Sequence, residues 1–137
     1  MRLLLIILVF LSAMPAKAGG LVVIASPQVP VDTISVSDMA AIYTLKKTSW
    51  GNNIPMVPVN REANSPVREK FSEAVFNLSP QELAEYWNQL RFKGKLPPLV
   101  QTSDQAVLGF VRSVPGAIGY IDASQATTGV KVLMRLP

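Results

Sequence analysis

The chain reads as a layered α/β domain built on a sheet that is at least partly parallel. Three observations predict this. Short, β-branched apolar runs recur, as in Leu21–Ala25 (LVVIA) and residues 130–136 (VKVLMRL). Between them lie longer stretches with apolar residues three and four apart, the period of one helical face. Serine and proline punctuate the changes from one pattern to the other. The predicted order is strand, helix, strand, three helices and two strands, with no internal repeat.

Each element has a local reason. Residues 21–25 are a buried strand, ended by residues 26–30 (SPQVP). Ser37 has the character of an N-cap, and Met39, Ile42 and Tyr43 mark one face of the helix it opens. Lys46 and Lys47 fall at that helix end, and residues 50–53 (WGNN) form a turn. Residues 54–60 (IPMVPVN) alternate imperfectly and contain two prolines, which predicts an irregular or edge strand. Ser65-Pro66 is a hydroxyl cap followed by proline at the first helical position. Val67, Phe71, Val75 and Leu78 give that helix an inward stripe. Ser79-Pro80-Gln81-Glu82 is a capping box for the next helix, whose buried face is Leu83, Tyr86, Trp87 and Leu90. Residues 91–98 (RFKGKLPP) are a loop. Thr102 and Gln105 form a second capping box, ahead of a helix that turns Val107, Phe110 and Val111 inward. Val114-Pro115-Gly116 stops it. Residues 117–121 (AIGYI) and 130–136 complete the strands.

Residues 1–18 read as an export signal. Arg2 precedes an apolar run at 3–11, and Ala16-Lys17-Ala18 supplies the small-x-small pattern for cleavage after Ala18. A membrane anchor is the competing reading, but the run falls short of the ~20 residues that span a bilayer. Removing 18 of the 137 residues leaves 119, enough for one domain with its own core and too few for two lobes. The formal charge of +4 falls by two without Arg2 and Lys17, too small a balance to argue for nucleic acid. There is no cysteine, which excludes disulfides, thiol chemistry and a lipid-bearing cysteine. There is no histidine, which excludes a histidine base and the commonest zinc sites. No cofactor is implied.

The acids point away from catalysis. Glu69 and Glu73 lie one turn apart and share a helix face, as a catalytic or cation-binding pair would, but solvated surface beside Lys70 explains them as well. No serine stands in a nucleophile elbow. The cations are more telling. Arg91, Lys93, Lys95 and Arg112 fall at helix ends, where they complement the dipole. Arg61 and Arg68 instead flank the start of the helix at Ser65, where each cation is disfavoured by about 0.3–1 kcal/mol. Either Glu62 and Glu69 offset them, or an anion belongs there. About four N–H groups at a helix start lack internal partners and form a ready anion site. Arg61, the Ser65 hydroxyl and Arg68 would add donors suited to phosphate, sulfate or a carboxylate.

The same residues carry a family resemblance. Residues 37–60 resemble the segment of phosphate-transporter binding proteins in which a helix runs through a Trp-containing loop into a Val-x-x-Arg strand. Residues 61–76 resemble the family's arginine, short loop, serine and helix, and residues 114–120 (VPGAIGY) its Pro-Gly-Ala-Ile-Gly-Tyr strand. The chain is thus similar to a short, PstS-like member of the periplasmic binding protein family over roughly residues 21–123. The resemblance implies one lobe of a type II binding protein, an α/β/α layering with a mixed or mostly parallel sheet over residues 19–137. It implies an exported, periplasmic, non-catalytic protein that binds phosphate or a related oxyanion for ABC-transporter uptake or sensing, without insertion into the membrane. Its site residues would be Arg61, Asn64, Ser65, Val67 and Arg68. Three positions depart from the family pattern: Ala63 replaces an aspartate, Pro66 a glycine without supplying an N–H, and Val67 a threonine. A single lobe also offers half a cleft. A partner protein or a second copy would complete it, or the lobe keeps its fold as a protein-interaction module without the ligand.

Overall fold

The computed structural model describes residues 20–137, so the expected export signal lies outside the described residues. The elements are β1 (Leu21–Ala25), α1 (Val36–Tyr43), β2 (Val57–Arg61), α2 (Pro66–Val75), α3 (Pro80–Phe92), β3 (Leu99–Gln101), α4 (Asp104–Ser113), β4 (Ala117–Asp122) and β5 (Lys131–Leu136). They form one five-stranded sheet in the order β3-β2-β4-β1-β5. β2 runs parallel to β3 and β4, whereas β1 is antiparallel to both β4 and β5, so the sheet is mixed.

Alternation along β1 sorts the core into two faces. Leu21, Val23 and Ala25 join Met39, Ile42 and Tyr43 of α1 and Phe71 and Val75 of α2. Val22 and Ile24 join Val107 and Val111 of α4 on the other side. Because both faces are covered, β1 is apolar without interruption. The α1/α2 face is the aromatic one. The Phe71 ring stacks on Tyr120 with centroids 3.9 Å apart and meets Tyr43 edge-on at 4.8 Å. The Tyr43 hydroxyl donates to the carbonyls of Val59 (2.8 Å) and Ile118 (3.2 Å), which satisfies its polar end inside the core.

Several local expectations change. The cap of α1 is Ser35, whose Oγ accepts from Asp38 N at 3.0 Å. Ser37 lies within the first turn, because Ser35 already holds the extended cap conformation. Likewise Ser103, not Thr102, caps α4, accepting from Ala106 N at 3.0 Å. β2 is an interior strand rather than an edge. Its proline is tolerated because β3 joins only from Val59 onward, after Pro58. β3 itself was not foreseen: three exposed or half-exposed residues carry no periodicity. Leu78 lies beyond α2 and is exposed, and α3 buries none of its residues. After α4, Gly116 (φ +80°) makes the stop, since a Cβ there would lie 2.0 Å from the Pro55 carbonyl oxygen. Trp50 Nε1 donates to the Gly116 carbonyl at 2.8 Å, which ties the predicted 50–53 turn to this corner.

Candidate functional site

The three parallel strands end together, at Arg61, Gln101 and Asp122. Beyond the first two, the chain turns directly into α2 and α4. Two helix starts therefore stand over the carboxyl edge of the sheet, where open α/β sheets collect their ligands.

Arg61 closes β2 with its guanidinium nearly buried, its side chain 11% exposed. Nε and Nη2 donate to the two carboxylate oxygens of Glu62, each at 3.0 Å. Nη1 pairs closely with Asp104 Oδ1, and Nη2 reaches the Thr102 carbonyl at 3.5 Å. Asp104 Oδ2 accepts from Asp122 N at 3.4 Å, so one cation links the end of β2 to the start of α4 and the end of β4. Glu62 stands below the ordinary carboxylate range, chiefly through its hydrogen bond from Arg61, and the same bond raises Arg61. Beneath lies Tyr120. Its hydroxyl donates to Asn60 Oδ1 and accepts from Arg61 N at 3.2 Å, and burial pushes it up to about 12.

The residues after Arg61 form a tight turn closed by Ser65 N donating to the Glu62 carbonyl at 3.0 Å. Ser65 is 2% exposed and caps α2, its Oγ accepting from Arg68 N at 3.3 Å. Pro66 has no N–H, and Glu69 N already bonds the Ser65 carbonyl. Among the described residues, the Val67 N–H is thus a donor at this helix start that neither cap nor helix takes up. The Val67 side chain packs against the core. Arg68 folds back over the helix start, Nη1 donating to the Arg61 carbonyl at 2.8 Å. Asn64, Ser65 and Arg68 line one end of a groove of 580 Å³ between α2 and α3, whose floor includes Leu83 and Trp87.

The five expected site residues thus converge on one turn, in unequal roles. Among the described residues, Arg68 commits one guanidinium donor, to the Arg61 carbonyl, and retains the others. Arg61 does not: two carboxylates occupy its fork, and the charges of Arg61 and Arg68 are balanced by those of Glu62 and Asp104. Asp104 and Tyr120 escaped sequence reasoning, because they come from distant elements. Asp104 had one signal, an acid in the first turn after a serine cap. Glu69 and Glu73 are exposed on the groove rim. Among the described residues, no group of three or more His, Cys, Asp or Glu side chains gathers in metal-binding geometry. No described helix is long and apolar enough to cross a membrane.

A mixed sheet between helix layers, with helix starts and guanidinium groups over its carboxyl edge, defines a lobe of the binding-protein class. The family model for the PBP superfamily domain matches residues 11–133, and the chain belongs to that family. A Clostridium perfringens protein described as a phosphate ABC transporter substrate-binding protein, solved with bound phosphate, is 27% identical. Its TM-score is 0.69, over 84% of this chain and 44% of that one. An ABC-type phosphate transport receptor from Vibrio cholerae is 22% identical (TM-score 0.67, 84% and 45%). PstS from Borrelia burgdorferi is 20% identical (TM-score 0.69, 84% and 46%). The last two speak to the fold alone. The chain spans less than half the length of each of these structures.

Proposed function

We propose that this chain is an exported, non-catalytic lobe, residues 19–137, that binds phosphate or a related oxyanion at the start of α2 in the service of ABC-transporter uptake or sensing in the periplasm. The observation that carries the reading is the meeting of Arg61, Ser65, the Val67 N–H and Arg68 on one turn over the carboxyl edge of the sheet. The relative solved with phosphate supports the choice of ligand. Ser65 Oγ accepts from the backbone and keeps its hydrogen for a bound oxygen. Val67 contributes its N–H, and Arg68 its free guanidinium donors. Arg61 acts mainly as a positioning residue, pinning the turn through Glu62 and Asp104. With the local charge balanced, this lobe by itself binds weakly, and a partner protein or a second copy closes the other half of the cleft.

Isothermal titration with inorganic phosphate tests the reading. Binding is expected, and Arg68→Ala should abolish it while Arg61→Ala weakens it together with the melting temperature. Absence of heat and of any melting shift at millimolar phosphate overturns it. A second reading, an interaction module that kept the fold and lost the ligand, is favoured by one observation: the Arg61 fork is already filled by carboxylates. It predicts no phosphate response and a protein partner retained on the chain when it is isolated from the periplasm.

A further inference from the structure

Helix α3 and the loop after it are built unlike the rest of the molecule. Leu83, Tyr86, Trp87 and Leu90 are only half covered. The Tyr86 hydroxyl donates to the Thr44 carbonyl, which moors the helix, while Leu83 and Trp87 floor the open groove against α2. The groove wall on the α2 side carries Glu69 and Glu73, and neither joins an ion pair among the described residues. At the far end of α3, Phe92 is 93% exposed and Leu96 80% exposed. Arg91, Lys93 and Lys95 surround them, also without ion pairs among the described residues. One surface is thus a largely apolar groove whose α2 wall carries Glu69 and Glu73 beyond Arg68, and the other an apolar tip with three cations. Apolar side chains this exposed and this close together mark an interaction surface.

We propose that two copies of this chain pair through antiparallel α3 helices, the 91–96 loop of each copy entering the α2–α3 groove of the other. The charges select this occupant, because both halves of the complement are present on the same chain. The layout permits closure. α3 has 13 residues, about 20 Å at 1.5 Å per residue, with the groove along its first two turns and the loop at its end. A two-fold axis across the middle of the helix brings both loops to both grooves at once, a self-complementary contact. Phe92 is the anchor, Leu83 and Trp87 its seat, and Glu69 and Glu73 face the loop cations. The same groove takes in Asn64, Ser65 and Arg68 at its other end, so the pairing is tested in phosphate-free buffer, where it stands or falls apart from anion binding.

Sedimentation velocity on the protein expressed from its complete sequence tests the pairing. A dimer that weakens as salt rises is expected. Phe92→Asp should weaken it by about 100-fold, as loss of an interface anchor does, without changing the circular dichroism or the melting temperature of the monomer. Two charge-reversed variants make the geometry testable: Glu69→Lys with Glu73→Lys, and Arg91→Glu with Lys93→Glu. Each alone should be monomeric, and an equimolar mixture should dimerise, because both loop–groove contacts become complementary again. A parent protein that stays monomeric, a dimer that survives Phe92→Asp, or a mixture that fails to associate overturns the proposal.

Discussion

Helices α2 and α3 begin alike and end in different environments. Each opens on a serine whose Oγ accepts from the backbone N–H three residues on, at 3.3 Å in α2 and 3.1 Å in α3, and each has proline at its first position. Yet α2 drives Phe71 and Val75 into the core, and α3 buries nothing. The reason lies in what each helix meets. α2 leaves β2 and returns across the part of the sheet face beside α1, against Tyr43 and Tyr120. α3 follows when that face is already taken by α1 and α2, and it leads to a three-residue strand whose apolar residues are themselves exposed. Caps and proline start a helix; the sheet area still free decides how much of it is buried.

The comparison breaks most readily at Phe71. Phe71→Ala removes the ring stacked on Tyr120 and should cost about 3–5 kcal/mol in urea unfolding. Trp87→Ala, measured on the monomer, should cost under about 1 kcal/mol. Equal losses would mean that α3 is as much a part of the core as α2.

Alkaline titration sharpens the same contrast. Tyr43 and Tyr120 on the α2 side both have raised values, that of Tyr120 reaching about 12, with burial as the main cause. A raised phenol favours the neutral form in the folded state. Its contribution is complete below the unfolded value of about 10 and is lost as pH rises toward about 12, on the order of 2–3 kcal/mol for Tyr120. Thermal melts should fall across that window, and Tyr120→Phe should flatten the fall. In acid the sign reverses: Glu62 and Asp122 are depressed, by Arg61 and Ser124 respectively. Their contribution is present above the ordinary carboxylate range and disappears as pH drops through their folded values.

Asp104→Asn comes next. It keeps the shape but strips a charge from the Arg61 fork, and about 1–2 kcal/mol of stability should go with it. The smallest effects belong to the caps. Ser65→Ala should cost about 1 kcal/mol and Ser79→Ala rather less, because only the Ser65 cap is buried. If the two match, burial of the cap contributes nothing and local geometry alone sets the cost.

Much of the fold was legible in local pattern. β1, α2, α3, α4 and the two final strands announced themselves through apolar period, serine–proline starts and the proline–glycine stop. The errors were of one kind. Ser35 and Ser37 both have capping chemistry, and only the path of the chain chose between them. Pro58 argued for an edge, and only the late arrival of β3 made an interior place possible. β3 had no pattern at all, because a strand of three exposed residues takes its identity from its neighbour. The site divides in the same way. The cluster at 61–68 was visible because a helix start and its flanking cations lie within eight residues.

By itself, then, the sequence determined where helices and strands begin, which faces are apolar, and that two arginines crowd one helix start. These follow from steric period, capping and peptide dipoles, which act over a few residues. Only the tertiary structure decided that Arg61 is held by Asp104, 43 residues away, that Tyr120 lies under Phe71, and that the apolar stripe of α3 remains half open. Those outcomes depend on which surfaces the sheet order brings together, and no local signal encodes the competition for that space.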